Sequence, residues 1–166
     1  METADILSII SISIYSILWK FKTKTLKNKT YFNNITIDDI QNLKGREFEE
    51  FCNWALQKNG YDTTLLNETN DYGRDIIIHG NNEDIYVECK RYTSNATKTE
   101  RFMIGREICE KLAGAMISNG VSKGIIMTTG NIHRNATEYI NRLKKNSDLD
   151  IQIWDMYKIE NLLKNI

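Results

Sequence analysis

The sequence predicts an α/β domain of three layers, a mixed central β-sheet flanked by helices, with a hydrophobic helix added at the N-terminus. Three observations predict it. Phe48, Phe51, Cys52, Ala55 and Leu56 recur at three- and four-residue steps between Gly45 and Asn59, which is the spacing of an amphipathic helix. Two apolar runs, "DIIIH" and "DIYVECKRY", bracket a four-residue turn at 80–83 and read as a hairpin. Helical and strand patterns then alternate to the end of the chain, which calls for parallel strands joined by helices.

Taken in order, residues 6–19, "ILSIISISIYSILW", are apolar apart from serines and a tyrosine, and "KFKTKTLKNK" follows at once. A helix from Thr3 to Phe21 nearly spans a ~30 Å hydrocarbon core at ~1.5 Å per residue. Glu2 and Asp5 precede it and no small-residue cleavage site is evident, so residues 1–21 read as an uncleaved anchor, not a secretory signal. The basic flank then predicts a single-pass protein of the cell membrane with the rest of the chain in the cytoplasm. Two other readings stay open: an edge strand from the "SISI" alternation, or a helix buried on the domain or lying on the membrane surface. Residues 22–42 are a basic linker and lead-in, and 43–166 the folded domain.

Within that domain the helix from Gly45 to Asn59 is closed by Gly60. "YDTTLL" is the first strand, "NETNDYG" a loop, and the hairpin follows. After a polar loop come a helix from about Glu100 to Ser118, the strand "KGIIMTT", a helix from about Ile132 to Leu143, the strand "DIQIW" and the closing helix "KIENLLKNI". With 166 residues, 41% of them hydrophobic, one core of ordinary size is expected. The 22 basic and 22 acidic residues balance, so any nucleic acid is held by a local patch and not by bulk charge. Cys52, Cys89 and Cys109 lack ligand spacing and read as reduced thiols of a cytosolic compartment.

Chemistry concentrates in the hairpin. With a four-residue turn, His79 faces Asp84 and Asp75 falls directly opposite Glu88, so both point to one face, and Lys90 shares it by the period of two. Opposed carboxylates repel unless a cation sits between them. Magnesium suits the position, because it takes oxygen ligands from one or two carboxylates together with waters and a substrate phosphate. A lysine beside it can orient or deprotonate a water, or steady charge building on phosphorus. On spacing alone the same residues also describe a solvated edge strand that binds nothing.

Context narrows the choice. Gly45, "FEEF", "GY" at 60–61, "DYGRD", "ECKRY", "LAGAM" at 112–116, "IIMTTG" at 125–130, Ala136 and a final "D…ENLL" stand in an order that resembles the Mrr-type branch of the PD-(D/E)XK restriction-endonuclease-like superfamily over residues 43–165. The resemblance implies a Mg2+- or Mn2+-dependent endodeoxyribonuclease acting on double-stranded DNA in restriction or defence, without a small-molecule cofactor and commonly as a homodimer. It implies that Asp75 and Lys90 are the metal-binding aspartate and the catalytic lysine. It makes Glu88 the middle ligand, where many Mrr-like chains carry glutamine, and Glu49 the helix acid that supports the metal or its water. Glu50 and Glu47 stand in reserve, since adjacent helical residues diverge by ~100°. Asp71 corresponds to a loop acid of secondary role, and Gly73 permits a tight approach into the strand.

For DNA contact the candidates are Arg91, Tyr92, Lys98, Arg101 and Arg106, each of which is equally a solvated surface residue. Thr128, Thr129 and Gly130 end a buried strand, where they either approach the phosphate or cap the next helix. His79 and His133 carry no strong signal, and Trp54 and Trp154 read as packing residues. The rival function is a catalytically silent DNA-binding tether or sensor on a nuclease fold.

Overall fold

A computed structural model describes residues 31–67, 73–92, 103–164 and 166. The chain divides into two compact units, 1–35 and 36–166. In the first, the Tyr31 and Phe32 rings lie 5.7 Å apart. The single-pass membrane placement expected from the sequence is corrected here: no helix among the described residues is long and apolar enough to cross a membrane. The expected anchor, 1–21, lies outside those residues.

In the second unit, helix α1 (Ile37–Asn42) opens within the stretch read as lead-in. Its start is a capping box in which Thr36 Oγ1 accepts from Asp39 N–H, while the Asp39 carboxylate accepts from Thr36 N–H. Helix α2 (Gly45–Lys58) follows, ending where Gly60 takes φ +85°. Strands β1 (Thr63–Leu65), β2 (Ile76–Ile78) and β3 (Ile85–Lys90) come next, then the short β4 (Met103–Ile104) and helix α3 (Arg106–Asn119). The chain closes with β5 (Lys123–Thr128), β6 (Asn131–Ile132), α4 (Arg134–Asn146), β7 (Asp150–Trp154) and α5 (Met156–Lys164).

The main sheet has the order β1-β2-β3-β5-β7. Its first three strands are antiparallel, while β3, β5 and β7 run parallel, so the sheet is mixed as expected. Helices cover both faces. On one, Ile108, Leu112 and Met116 of α3 pack with Tyr86, Ile126, Ala136 and Ile151. On the other, α2 lies against β1 and β3 and contributes the buried Phe48, Phe51 and Leu56, with Phe51 continuing to Trp54 at 6.1 Å between rings. Trp54 is thus a core residue, and Trp154 is half-buried edge-on to Tyr61 at 6.5 Å.

Two helix starts differ from expectation. Met103–Ile104 pairs in parallel with Asn131–Ile132 as a second, two-stranded sheet, so α3 starts at Arg106 and not Glu100, and α4 at Arg134 and not Ile132. Pairing between segments so far apart leaves no local periodicity to read. The closing helix also begins two residues earlier than "KIENLLKNI" suggests, at Met156.

Candidate active site

The hairpin register is the one that turn length predicts: Ile76 pairs with Val87, Ile77 with Tyr86 and Ile78 with Ile85. One step beyond, Asp75 N–H also donates to Val87 O at 2.7 Å, so the regular pairing ends at Ile76 and Asp75 sits just outside it, beside the Val87–Cys89 stretch. Asp75 Oδ2 accepts from Cys89 N–H at 2.6 Å. Alternation turns Val87 and Cys89 toward α2, where Cys52 sits beside Cys89, and turns Tyr86, Glu88 and Lys90 toward α3. All three cysteines are free and buried.

Burial decides the electrostatics. Glu88 is 0% exposed and Asp75 only 7%. Burial, then the neighbouring Glu88 charge and, less strongly, Glu49 push the Asp75 carboxyl up to about 7, against the hydrogen bond from Cys89 and the pull of Lys90. Lys90 Nζ stands 3.0 Å from Glu88 Oε1. Partial burial is the largest single influence and depresses the Lys90 ammonium, but the charge and hydrogen bond of Glu88, with Asp75 and Tyr92, together outweigh it and raise Lys90 above the ordinary lysine value. Lys90 is therefore a fixed positive charge at neutral pH.

Glu88 Oε1 forms ion pairs with Lys90 at 3.0 Å and Lys111 at 3.5 Å, and among the described residues neither carboxylate oxygen has a partner in well-aligned hydrogen-bond geometry. A fully buried carboxylate whose oxygens meet only these two partly exposed ammonium groups keeps the capacity to ligate a further cation. With Asp75 it offers the one or two carboxylates from which magnesium is usually held, so the residues present fit a divalent ion.

Glu49 is placed differently from the third ligand the sequence suggested. Its Oε2 accepts from Arg46 Nη1 at 2.8 Å, and no group of three or more acids, histidines or cysteines close enough to hold a metal forms among the described residues. Arg46, which sequence reasoning passed over, also donates to Leu66 O at 2.8 Å and lies 4.0 Å from Glu50. Leu66 N–H in turn donates to Asp75 O at 2.8 Å. Arg46 thus couples the acid of α2 to the strand that carries Asp75. Glu47 closes the α2 N-terminus by accepting from Lys44 N–H at 2.8 Å.

The far side of the site is sewn to β5. Thr128, fully buried, donates through Oγ1 to Lys90 O at 2.7 Å and accepts from Gly130 N–H at 2.9 Å. Thr129 Oγ1 donates to Tyr92 O at 2.9 Å and accepts from Tyr92 N–H at 2.8 Å. These hydroxyls fix the end of the lysine strand and do not cap α4, a role taken by His133, whose Nδ1 accepts from Asn135 N–H. Tyr92 packs on Gly130 and donates to Met103 O at 3.2 Å.

The other candidates disperse. Arg106 pairs with Glu110 at 2.8 Å and stacks on the Tyr139 ring at 5.3 Å. Arg91 keeps its Nε buried. His79 lies between Thr64 Oγ1 (2.8 Å) and Asp84 Oδ1 (3.3 Å) on the exposed end of the hairpin. Asp71, Lys98 and Arg101 lie outside the described residues. Gly73 has φ +94°, and a Cβ there would stand 2.9 Å from Lys111 O, so this position needs glycine both for backbone angle and for space. Lys111 of α3 was missed altogether. Its Nζ is 3.5 Å from Glu88 Oε1, and only its place just ahead of "LAGAM" hinted at it.

A helix-led mixed sheet that sets an aspartate against a Glu-x-Lys on the adjoining strand defines a nuclease-type domain. A family model described as restriction endonuclease, Mrr_cat, matches residues 40–163, and the chain belongs to that family. It is a nuclease domain of restriction-endonuclease type, with DNA as its substrate. Comparison with curated proteins and with solved structures gives no match.

Proposed function

We propose that the chain is a metal-dependent endodeoxyribonuclease that hydrolyses phosphodiester bonds of double-stranded DNA, in restriction or defence. The observation that carries this reading is the fully buried Glu88 carboxylate, a neighbour of Asp75 and 3.0 Å from Lys90, neither oxygen of which has a well-aligned hydrogen-bond partner among the described residues. Asp75 and Glu88 are the metal-holding residues, and Mg2+ or Mn2+ bound there would supply Lewis acidity toward the scissile phosphate. Lys90, held charged, steadies the negative charge that develops on the phosphoryl oxygens. Thr128 and Thr129 fix the backbone of the lysine strand, so the ammonium is delivered by a strand end that cannot fray. Glu49 biases Asp75 electrostatically and is itself oriented by Arg46. One such site lies among the described residues, so a cut through both strands calls for two copies.

The test is full-length protein on supercoiled plasmid with Mg2+, with Mn2+ or with EDTA, and with Lys90→Ala in parallel. Nicking or linearisation that needs metal and falls ~10²–10³-fold in the variant is expected. DNA retention without cleavage under every condition would instead assign the chain to a silent binding module. RNA and branched duplexes in the same assay resolve the substrate.

A further inference from the structure

Two lysines, not one, converge on Glu88. Lys111 comes from α3, the opposite layer to α2, and its Nζ reaches to 3.5 Å of the oxygen that Lys90 approaches at 3.0 Å. Both side chains remain partly open, 47% for Lys111 and 38% for Lys90, whereas the carboxylate between them is fully covered. Lys111 is also held from behind: its carbonyl and Cγ line the space next to Gly73, so the segment leading into Asp75 packs on the lysine's own turn of helix. Once Asp75 is ionised, its charge and that of Glu88 are thereby matched by two ammonium groups before any metal arrives. Adding a dication to that set leaves two unmatched positive charges, and a DNA phosphate is the group that would offset them.

We propose that Lys111 is a positioning residue that acts through Glu88: it occupies the carboxylate in competition with the divalent ion, so that metal uptake is weak until DNA phosphate gives the lysine another partner. The inference rests on the metal-dependent reading above, and it assigns to the helix lysine the coupling of metal binding to substrate binding. A single extra positive charge a few ångströms from a partly solvated dication corresponds to roughly a tenfold change in affinity once screening is allowed for.

The experiment is Mn2+ binding to the full-length chain without DNA, read by the loss of the free-ion electron paramagnetic resonance signal. Wild type, Lys111→Met, Lys111→Arg and Glu88→Gln are compared, each first checked by thermal melting, with Lys111→Gln as substitute should the methionine variant not fold. Lys111→Met is expected to bind Mn2+ about tenfold more tightly than wild type, Lys111→Arg to restore wild-type affinity, and Glu88→Gln to lose binding. In cleavage, Lys111→Met should reach half-maximal rate at lower Mn2+ yet show a raised KM for DNA. If Glu88→Gln abolishes Mn2+ uptake while Lys111→Met leaves it unchanged or weaker, the inference is overturned and the metal site stands. If neither wild type nor Lys111→Met takes up Mn2+, the metal-dependent reading falls and the inference with it.

Discussion

Replacing Asp75 by asparagine should make the metal-free protein more stable, and more so as pH rises. The folded-state value of about 7 lies above the ordinary 3.8. Between those two pH values the folded chain keeps a proton that the unfolded chain has released. The contribution of Asp75 is therefore full below pH ~4 and is lost as pH climbs to ~7. At ~1.36 kcal/mol per pH unit, that gap sets a ceiling of about 4 kcal/mol. Asparagine retains an acceptor for Cys89 N–H but forgoes the attraction to Lys90, so the expected gain at pH 8 is about 2 kcal/mol. The assay is urea unfolding in EDTA at intervals from pH 4.5 to 8, with Asp75→Asn subtracted from wild type at each point. The advantage of the variant should grow with pH and level off above 7, while added Mg2+ should stabilise wild type alone. A difference that is flat with pH, or a wild type more stable than the variant at pH 8, would refute the reasoning.

Gly73→Ala should cost about 2–4 kcal/mol in the same unfolding assay, since it combines an unfavourable positive φ with a Cβ 2.9 Å from a backbone carbonyl; an unchanged midpoint would argue against the packing of this segment on α3. Thr128→Val removes a buried hydroxyl that serves Lys90 O and Gly130 N–H, for an expected loss of about 1–3 kcal/mol and a lower kcat with little change in KM. Gly130→Ala places a methyl against the Tyr92 ring and should be detected as altered tyrosine fluorescence together with a lower melting temperature; retention of both would contradict the contact.

The hairpin was legible because its information is local: a four-residue turn and period-two alternation were enough to set the register from Ile76–Val87 to Ile78–Ile85. The amphipathic α2 and the order of the later strands were legible for the same reason. What escaped reading depends on contacts between distant segments. Met103–Ile104 becomes a strand only through Asn131–Ile132, and Lys111 acquires meaning only because α3 crosses over Glu88. Arg46 looked like one more solvated helix charge until its links to Glu49 and Leu66 were visible. Glu49 bears on Asp75 electrostatically, and its partner on the same helix, Arg46, was not foreseen. The N-terminal run drew an anchor from composition alone, and no spanning helix appears among the described residues.

The tie from Thr128 to the Lys90 carbonyl has an implication for synthesis of the chain. A ribosome delivers the aspartate, glutamate and lysine of the hairpin long before it delivers the strand that steadies them. An unfinished polypeptide thus carries the hairpin's acids and lysine before it carries the hydroxyl that holds the end of their strand.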